Sequence, residues 1–131
     1  MRFRMPVRRD QDGAGRYLMH EMSLAESALQ IIEDAAQKQG FKRVRMVWLE
    51  IGKLSCVEQE AMRFCFDVVI KDSVADGAKL KIVETMGQGK CTQCGCETQI
   101  VSLYEACPKC GGYAMQVIAG DAMRVIELEV E

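Results

Sequence analysis

Two paired-cysteine loops constrain this chain more than any other feature. They are Cys91-Thr92-Gln93-Cys94 and Cys107-Pro108-Lys109-Cys110, with twelve residues between them. Zinc takes four soft ligands in a tetrahedron, and two facing C-x-x-C loops supply four thiolates. The spacing lies close to zinc-ribbon patterns. Gly95 and Gly111 follow the second cysteine of each pair. Glycine there lets the loop turn tightly and aim backbone N–H groups at sulfur. Two disulfides, or four reduced thiols in a core, are the other readings of the same residues. A structural zinc is the expectation, and four thiolates would leave no open position for chemistry.

The chain has 131 residues and is 49% apolar, enough for one compact domain or a small domain carrying a metal-stapled module. No apolar run approaches the roughly 20 residues that span a bilayer, so no membrane insertion is expected. Residues 1–18 carry five arginines and two aspartates, a net +3, and lack the apolar stretch of a signal peptide. Seven cysteines are therefore expected in a reducing cytoplasm, which favours metal over disulfide. Residues 19–131 carry a net −5, which argues against a nucleic-acid footprint.

Residues 1–18 show no periodicity and read as a disordered extension or a misassigned start. Ser23 and Glu26 suggest a capping box opening a helix. Leu24, Ala28, Leu29, Ile31, Ile32, Ala35 and Ala36 then recur at helical spacing, and Gly40 closes it. Val44 to Leu54 reads as a strand with Val47, Leu49 and Ile51 on one face. Ser55 and Glu58 suggest a second capping box, followed by a helix carrying Met62, Cys65, Phe66, Val69 and Ile70. Lys79 to Met86 and Met123 to Glu131 read as strands, the latter with Ile126, Leu128 and Val130 on one side. Leu29, Ile32, Met62, Phe66 and Val69 are expected to be buried. The expected fold class is α+β: a small α/β layer of two helices on a β-sheet with an inserted zinc-ribbon module. Residues 19–86 plus 122–131 form the body and 87–121 the module, with Gly87-Gln88-Gly89 and Ala119-Gly120 as hinges.

His20 is the single histidine. That removes His-rich catalytic zinc sites, and any Ser-His or Cys-His pair not built on His20. No glycine-rich phosphate loop of the P-loop type is present. If the chain starts at Met19, its α-amine, the His20 amide nitrogen and the His20 Nδ1 can chelate one metal. Such donors favour a square-planar ion such as Ni(II) or Cu(II). A helix-flanking histidine with no ligand role is the other reading. Cys96 reads as a spectator, and Cys56 and Cys65 as core packing.

Met19-His20-Glu21-Met22-Ser23-Leu24, then Leu49-Glu50-Ile51-Gly52-Lys53-Leu54-Ser55, then Glu60-Ala61-Met62-Arg63-Phe64, together with the two cysteine pairs, resemble the HypA/HybF family of hydrogenase maturation factors for nickel insertion. The resemblance covers residues 19–131. It implies a nickel metallochaperone that is not an enzyme, with an α/β nickel-binding domain and a zinc-ribbon domain. It implies Ni(II) as cargo held by His20, with Glu21 and the Met19 nitrogen assisting. It implies structural Zn(II) on Cys91, Cys94, Cys107 and Cys110. The partners it implies are the GTPase HypB and the nickel–iron hydrogenase large-subunit precursor, and some relatives serve urease. The chain departs from the family in the 18 residues before Met19 and in Cys96. Two other functions compete: a zinc-ribbon adaptor for protein or nucleic acid without a second metal, and a thiol oxidoreductase. The second lacks the thioredoxin-like βαβ context.

Overall fold

A computed structural model of the protein describes residues 1–5 and 21–131. Two helices lie on one face of a four-stranded sheet, and a three-stranded sheet carries the cysteine loops. The expected α+β class is therefore the observed one.

The first helix, α1, spans Glu21–Gln39. Its buried stripe is Ala25, Ala28, Ile32 and Ala35, at the three- and four-residue steps of a helix face. Three of those four residues are alanine, so the backbone can approach the sheet closely. Ser23 and Glu26 both lie inside the helix, so they do not form the expected opening cap. Gly40 ends it with φ +78°, and its N–H donates to Ala36 O at 2.8 Å.

The second helix, α2, spans Gln59–Val69 and buries Met62 and Phe66. Its cap is Glu58 alone, whose carboxylate accepts from the N–H groups of Glu60 at 3.2 Å and Ala61 at 2.7 Å. Ser55 instead ties the preceding turn: its hydroxyl donates to Gly52 O and accepts from Val57 N–H. Of the residues expected to be buried, Ile32, Met62 and Phe66 are, whereas Leu29 and Val69 pack half-exposed at the edge of the core.

The larger sheet runs in the order β1-β7-β2-β3, where β1 is Arg2–Arg4, β2 Val44–Gly52, β3 Lys79–Thr85 and β7 Met123–Val130. β2 and β3 are parallel neighbours joined through α2, and β7 lies antiparallel on the other side of β2. Two bulges set which residues face the core. Arg45 is skipped between the pairs Val44↔Val130 and Met46↔Glu129, so Val44 and Val47 both point inward. Ile126 is skipped between Trp48↔Glu127 and Leu49↔Val125. The inward residues of β7 are thus Val125, Leu128 and Val130, and Ile126 leaves the stripe predicted for it.

The first five residues depart from the disordered extension expected for 1–18. β1 pairs antiparallel with β7, Phe3 packs on the core edge and Met5 is buried. The remainder of that segment lies outside the described residues.

The smaller sheet runs β5-β4-β6, with β4 Gly87–Cys91, β5 Glu97–Ile100 and β6 Met115–Ala119. Of the two stretches expected as hinges, Gly87-Gln88-Gly89 lies within β4 and Ala119 ends β6, with Gln88 opposite Ala119, while Gly120 turns just beyond the strand. Around them three glycines meet in van der Waals contact. A Cβ on Gly52 would stand 2.2 Å from Gly120 O, and one on Gly120, where φ is +84°, 2.4 Å from Met86 O. Leu54 N–H donates to Gly120 O at 2.8 Å. The junction is a fitted joint, because only glycine leaves room for the backbones to touch.

Candidate metal centre

Both cysteine loops are built alike. In the first, Gly95 N–H donates to Cys91 O and Cys91 N–H donates to Cys96 O, both at 2.8 Å. In the second, Gly111 N–H donates to Cys107 O at 2.8 Å and Cys107 N–H to Gly112 O at 2.7 Å. Gly95 and Gly111 sit at φ +77° and +73°, the left-handed conformation that closes each loop. The first loop opens on the end of β4, and Thr92 N–H donates to Ala114 O, drawing the loops together.

The result is one group of four sulfurs, Cys91, Cys94, Cys107 and Cys110, all within 4.8 Å of one another. Cys91 Sγ lies 3.6 Å from Cys110 Sγ, and Cys94 Sγ 3.6 Å from Cys107 Sγ. A disulfide needs about 2.0 Å, so these are not bonded pairs. A tetrahedron with metal–sulfur bonds of about 2.3 Å has edges of about 3.8 Å, so the spacing suits a four-thiolate ion. Each close pair joins one cysteine from each loop, as tetrahedral ligation across two loops requires. Cys91 and Cys107 are buried, and Cys94 and Cys110 face solvent.

The backbone already prepares half of the set for ligation. N–H groups of Cys110 and Lys109 hold the Cys107 thiol down at about 6. Those of Cys94 and Gln93 lower Cys91 in the same way. Cys94 is pushed up to about 12: the Cys96 N–H favours its thiolate, but desolvation and the sulfurs of Cys107, Cys91 and Cys110 outweigh it. Cys110 is raised too, as the Cys91 sulfur, desolvation and the Cys107 sulfur override the Gly112 N–H. Two sulfurs thus hold charge early and two late, the arrangement that a divalent cation would level.

Cys96 stands outside this group, its Sγ turned toward Glu97 O at 3.9 Å. Cys56, expected in the core, is exposed at φ +63° in the turn after β2, and Cys65 packs half-buried on α2. Met19 and His20 lie outside the described residues. Glu21 opens α1, and its Oε2 accepts from Glu58 N–H at 3.4 Å. This contact places the start of α1 beside the capped start of α2, at the end of the sheet from which β4 departs. Periodicity could not reveal it, because the two glutamates are 37 residues apart.

A two-helix α/β body bearing a four-cysteine ribbon defines a metal-binding α+β protein with a zinc-ribbon fold. The family model described as hydrogenase/urease nickel incorporation, metallochaperone, hypA matches residues 19–130. The chain belongs to the HypA family. It is 57% identical to the hydrogenase maturation factor HypA of Albidiferax ferrireducens over 113 residues, covering 86% of this chain and all of that protein. It is 50% identical to that of Azotobacter vinelandii over the same length, with the same coverage. The solution structure of the nickel metallochaperone HypA from Helicobacter pylori superposes with a TM-score of 0.68 at 25% identity, covering 86% of this chain and 97% of that one. No helix among the described residues is long and apolar enough to cross a membrane.

Proposed function

We propose that this protein is a nickel metallochaperone that delivers Ni(II) during maturation of nickel–iron hydrogenase. The family match from Met19 to Val130 carries this reading. The relatives reported above are hydrogenase maturation factors, which favours hydrogenase over urease as the recipient. The body, residues 19–86 with 122–131, binds nickel, and residues 87–121 form the zinc module. Zn(II) on Cys91, Cys94, Cys107 and Cys110 is structural, because four thiolates fill its coordination and leave no site for catalysis. The protein is a carrier in the cytoplasm and not an enzyme. It meets the GTPase HypB and the hydrogenase large-subunit precursor, and binds no nucleic acid.

Nickel is held by His20 with Glu21 and the Met19 nitrogen. Imidazole and amide nitrogens together favour a square-planar divalent ion, and few side-chain ligands suit a cargo that must leave again. Glu21 stands where two helix N-termini converge, a region whose dipoles favour carboxylate over added cation.

Calorimetric titration of Ni(II) into the full chain, His20→Ala and a chain beginning at Met19 tests this. His20→Ala should lose the tight site, and the shorter chain should bind more tightly with a shallower pH dependence, since its Met19 nitrogen is an amine with pKa about 7.7–8.0. Undiminished binding in His20→Ala would move the nickel site elsewhere and leave a zinc-ribbon adaptor as the better reading. Metal analysis of Cys107→Ala tests the zinc ligands: zinc should fall below stoichiometric and residues 87–121 should lose their ordered structure, while the body stays folded.

A further inference from the structure

Both helices lie on one face of the larger sheet, over the core. Among the described residues no helix lies on the other face. That is unusual for β2 and β3, a parallel pair, since parallel strands are normally covered on both sides. Register fixes what the outer face presents, because residues opposite each other share a face. Across one row stand Arg2, Glu129, Met46 and Lys79, and across the next Arg4, Glu127, Trp48 and Lys81. From β7 to β3, each row runs acid, apolar, base. Met46 and Trp48 are half-buried, and the two lysines are exposed.

Charge on this face is only partly satisfied. Arg2 pairs with Glu127 and lies over the ring of Trp48, 4.4 Å from its centroid. Glu129, Lys79 and Lys81 make no ion pair with any described residue. Glu129 and Lys79 stand two strand spacings apart, about 10 Å, with Met46 between them. A hollow of about 390 Å³, whose lining includes Met46, Lys79 and Glu129, leaves room there for side chains of a facing surface. A second copy laid face to face supplies the missing charges if its two-fold axis runs along β2. Such an axis carries the β7 side of one copy over the β3 side of the other. Glu129 of each copy then meets Lys79 of the other, and Met46 meets Met46. An axis across the strands would set acid over acid and lysine over lysine, and charge repulsion opposes it.

We propose that the outer face of the larger sheet is the contact through which two copies of this chain associate, about a two-fold axis parallel to β2. The contact is isologous, the same patch on both copies, and stacks two sheets with their strands aligned. Four strands span about 19 Å and the eight residues of β7 about 26 Å, so each copy offers about 500 Å². Two such faces make about 1,000 Å², the low end for a specific interface, so the dimer is weak and reversible. Because the two β2 strands run the same way, both cysteine modules stand at one end of the pair. The helices of each copy face away from the contact.

Sedimentation velocity of the zinc-loaded full chain, from about 20 µM to about 1 mM at low salt, tests this. The unaltered chain should pass reversibly from monomer to dimer, and Trp48, the one tryptophan, should shift its emission to shorter wavelength as it does so. Lys79→Glu and Glu129→Lys each set like charges against each other in a dimer of that variant with itself. Each alone should raise the dissociation constant by about tenfold or more. An equal mixture of the two should dimerise as one copy of each, because every lysine then meets a glutamate. That recovery also shows that both variants are folded. The double variant Lys79→Glu/Glu129→Lys should associate like the unaltered chain. A chain that stays monomeric at about 1 mM overturns the proposal and leaves the face to a different protein or to solvent. Single variants that dimerise as well as the unaltered chain overturn it too, since the contact would then lie on another surface. So does a mixture that fails to recover association.

Discussion

Cys107 and Cys94 hold their sulfurs 3.6 Å apart, yet one is drawn down to about 6 and the other pushed up to about 12. Zinc binds thiolates, so each sulfur still protonated at a given pH must release its proton on loading. At neutral pH that holds at least for Cys94 and Cys110, both raised. Affinity should therefore fall as pH falls, by about a hundredfold per unit for two protons displaced. Below about 6 the decline should steepen as Cys107 protonates too. Competition against a zinc chelator at several pH values measures the slope, and a flat profile would mean that the sulfurs are already ionised together. The convergence of the four loop cysteines was legible from spacing alone, because two C-x-x-C loops at that spacing can face each other. Cys56 was not: its neighbours in sequence suggested a helix start, whereas the turn after β2 places it outside at φ +63°. Nor was the Glu21–Glu58 contact, which exists only once two helices are laid side by side.

Among the elements, the helices were read from periodicity and the strands from their β-branched runs, since those patterns follow from which face meets the core. Ile32 lies at the centre of the α1 stripe and is fully buried. Ile32→Ala should cost about 2–5 kcal/mol in denaturant titration. Leu29→Ala should cost less, because Leu29 packs at the rim. Glu58→Ala removes the acceptor for two N–H groups of α2 and a charge suited to its dipole, a loss of about 1 kcal/mol. If thermal unfolding of that variant matches the unaltered chain, the cap contributes nothing. The bulges at Arg45 and Ile126 were invisible in the sequence, because a bulge is a property of two strands in register and each strand alone reads as regular. That is why Ile126 was placed on the inner stripe and Val125 missed.

At the scale of the whole molecule, the two sheets meet where Gly52, Gly87 and Gly120 pack backbone on backbone. Gly120→Ala would require a left-handed alanine with its Cβ inside the Met86 carbonyl, so both sheets should loosen together. Amide exchange would then quicken in β4 and β6 and also at the ends of β2 and β7. Quickening confined to the ribbon would mean that the joint transmits nothing. Gly87 and Gly120 were visible in the sequence as supposed hinges and Gly52 was not; that the three form a tight joint depends on distant segments meeting, which no local pattern encodes. The same joint has a topological consequence. Thr85 leaves the body opposite Gly52, and Met123 returns opposite Ile51, on either side of β2. Two strand spacings, about 10 Å, separate exit from return, a gap that about four residues of extended chain can bridge. A graft of that length would join β3 to β7 directly, giving a continuous miniature of the body without a single ribbon thiol. The ribbon is thus an insertion in the sense of a cassette: the chain passes out through one doorway and back through the one beside it.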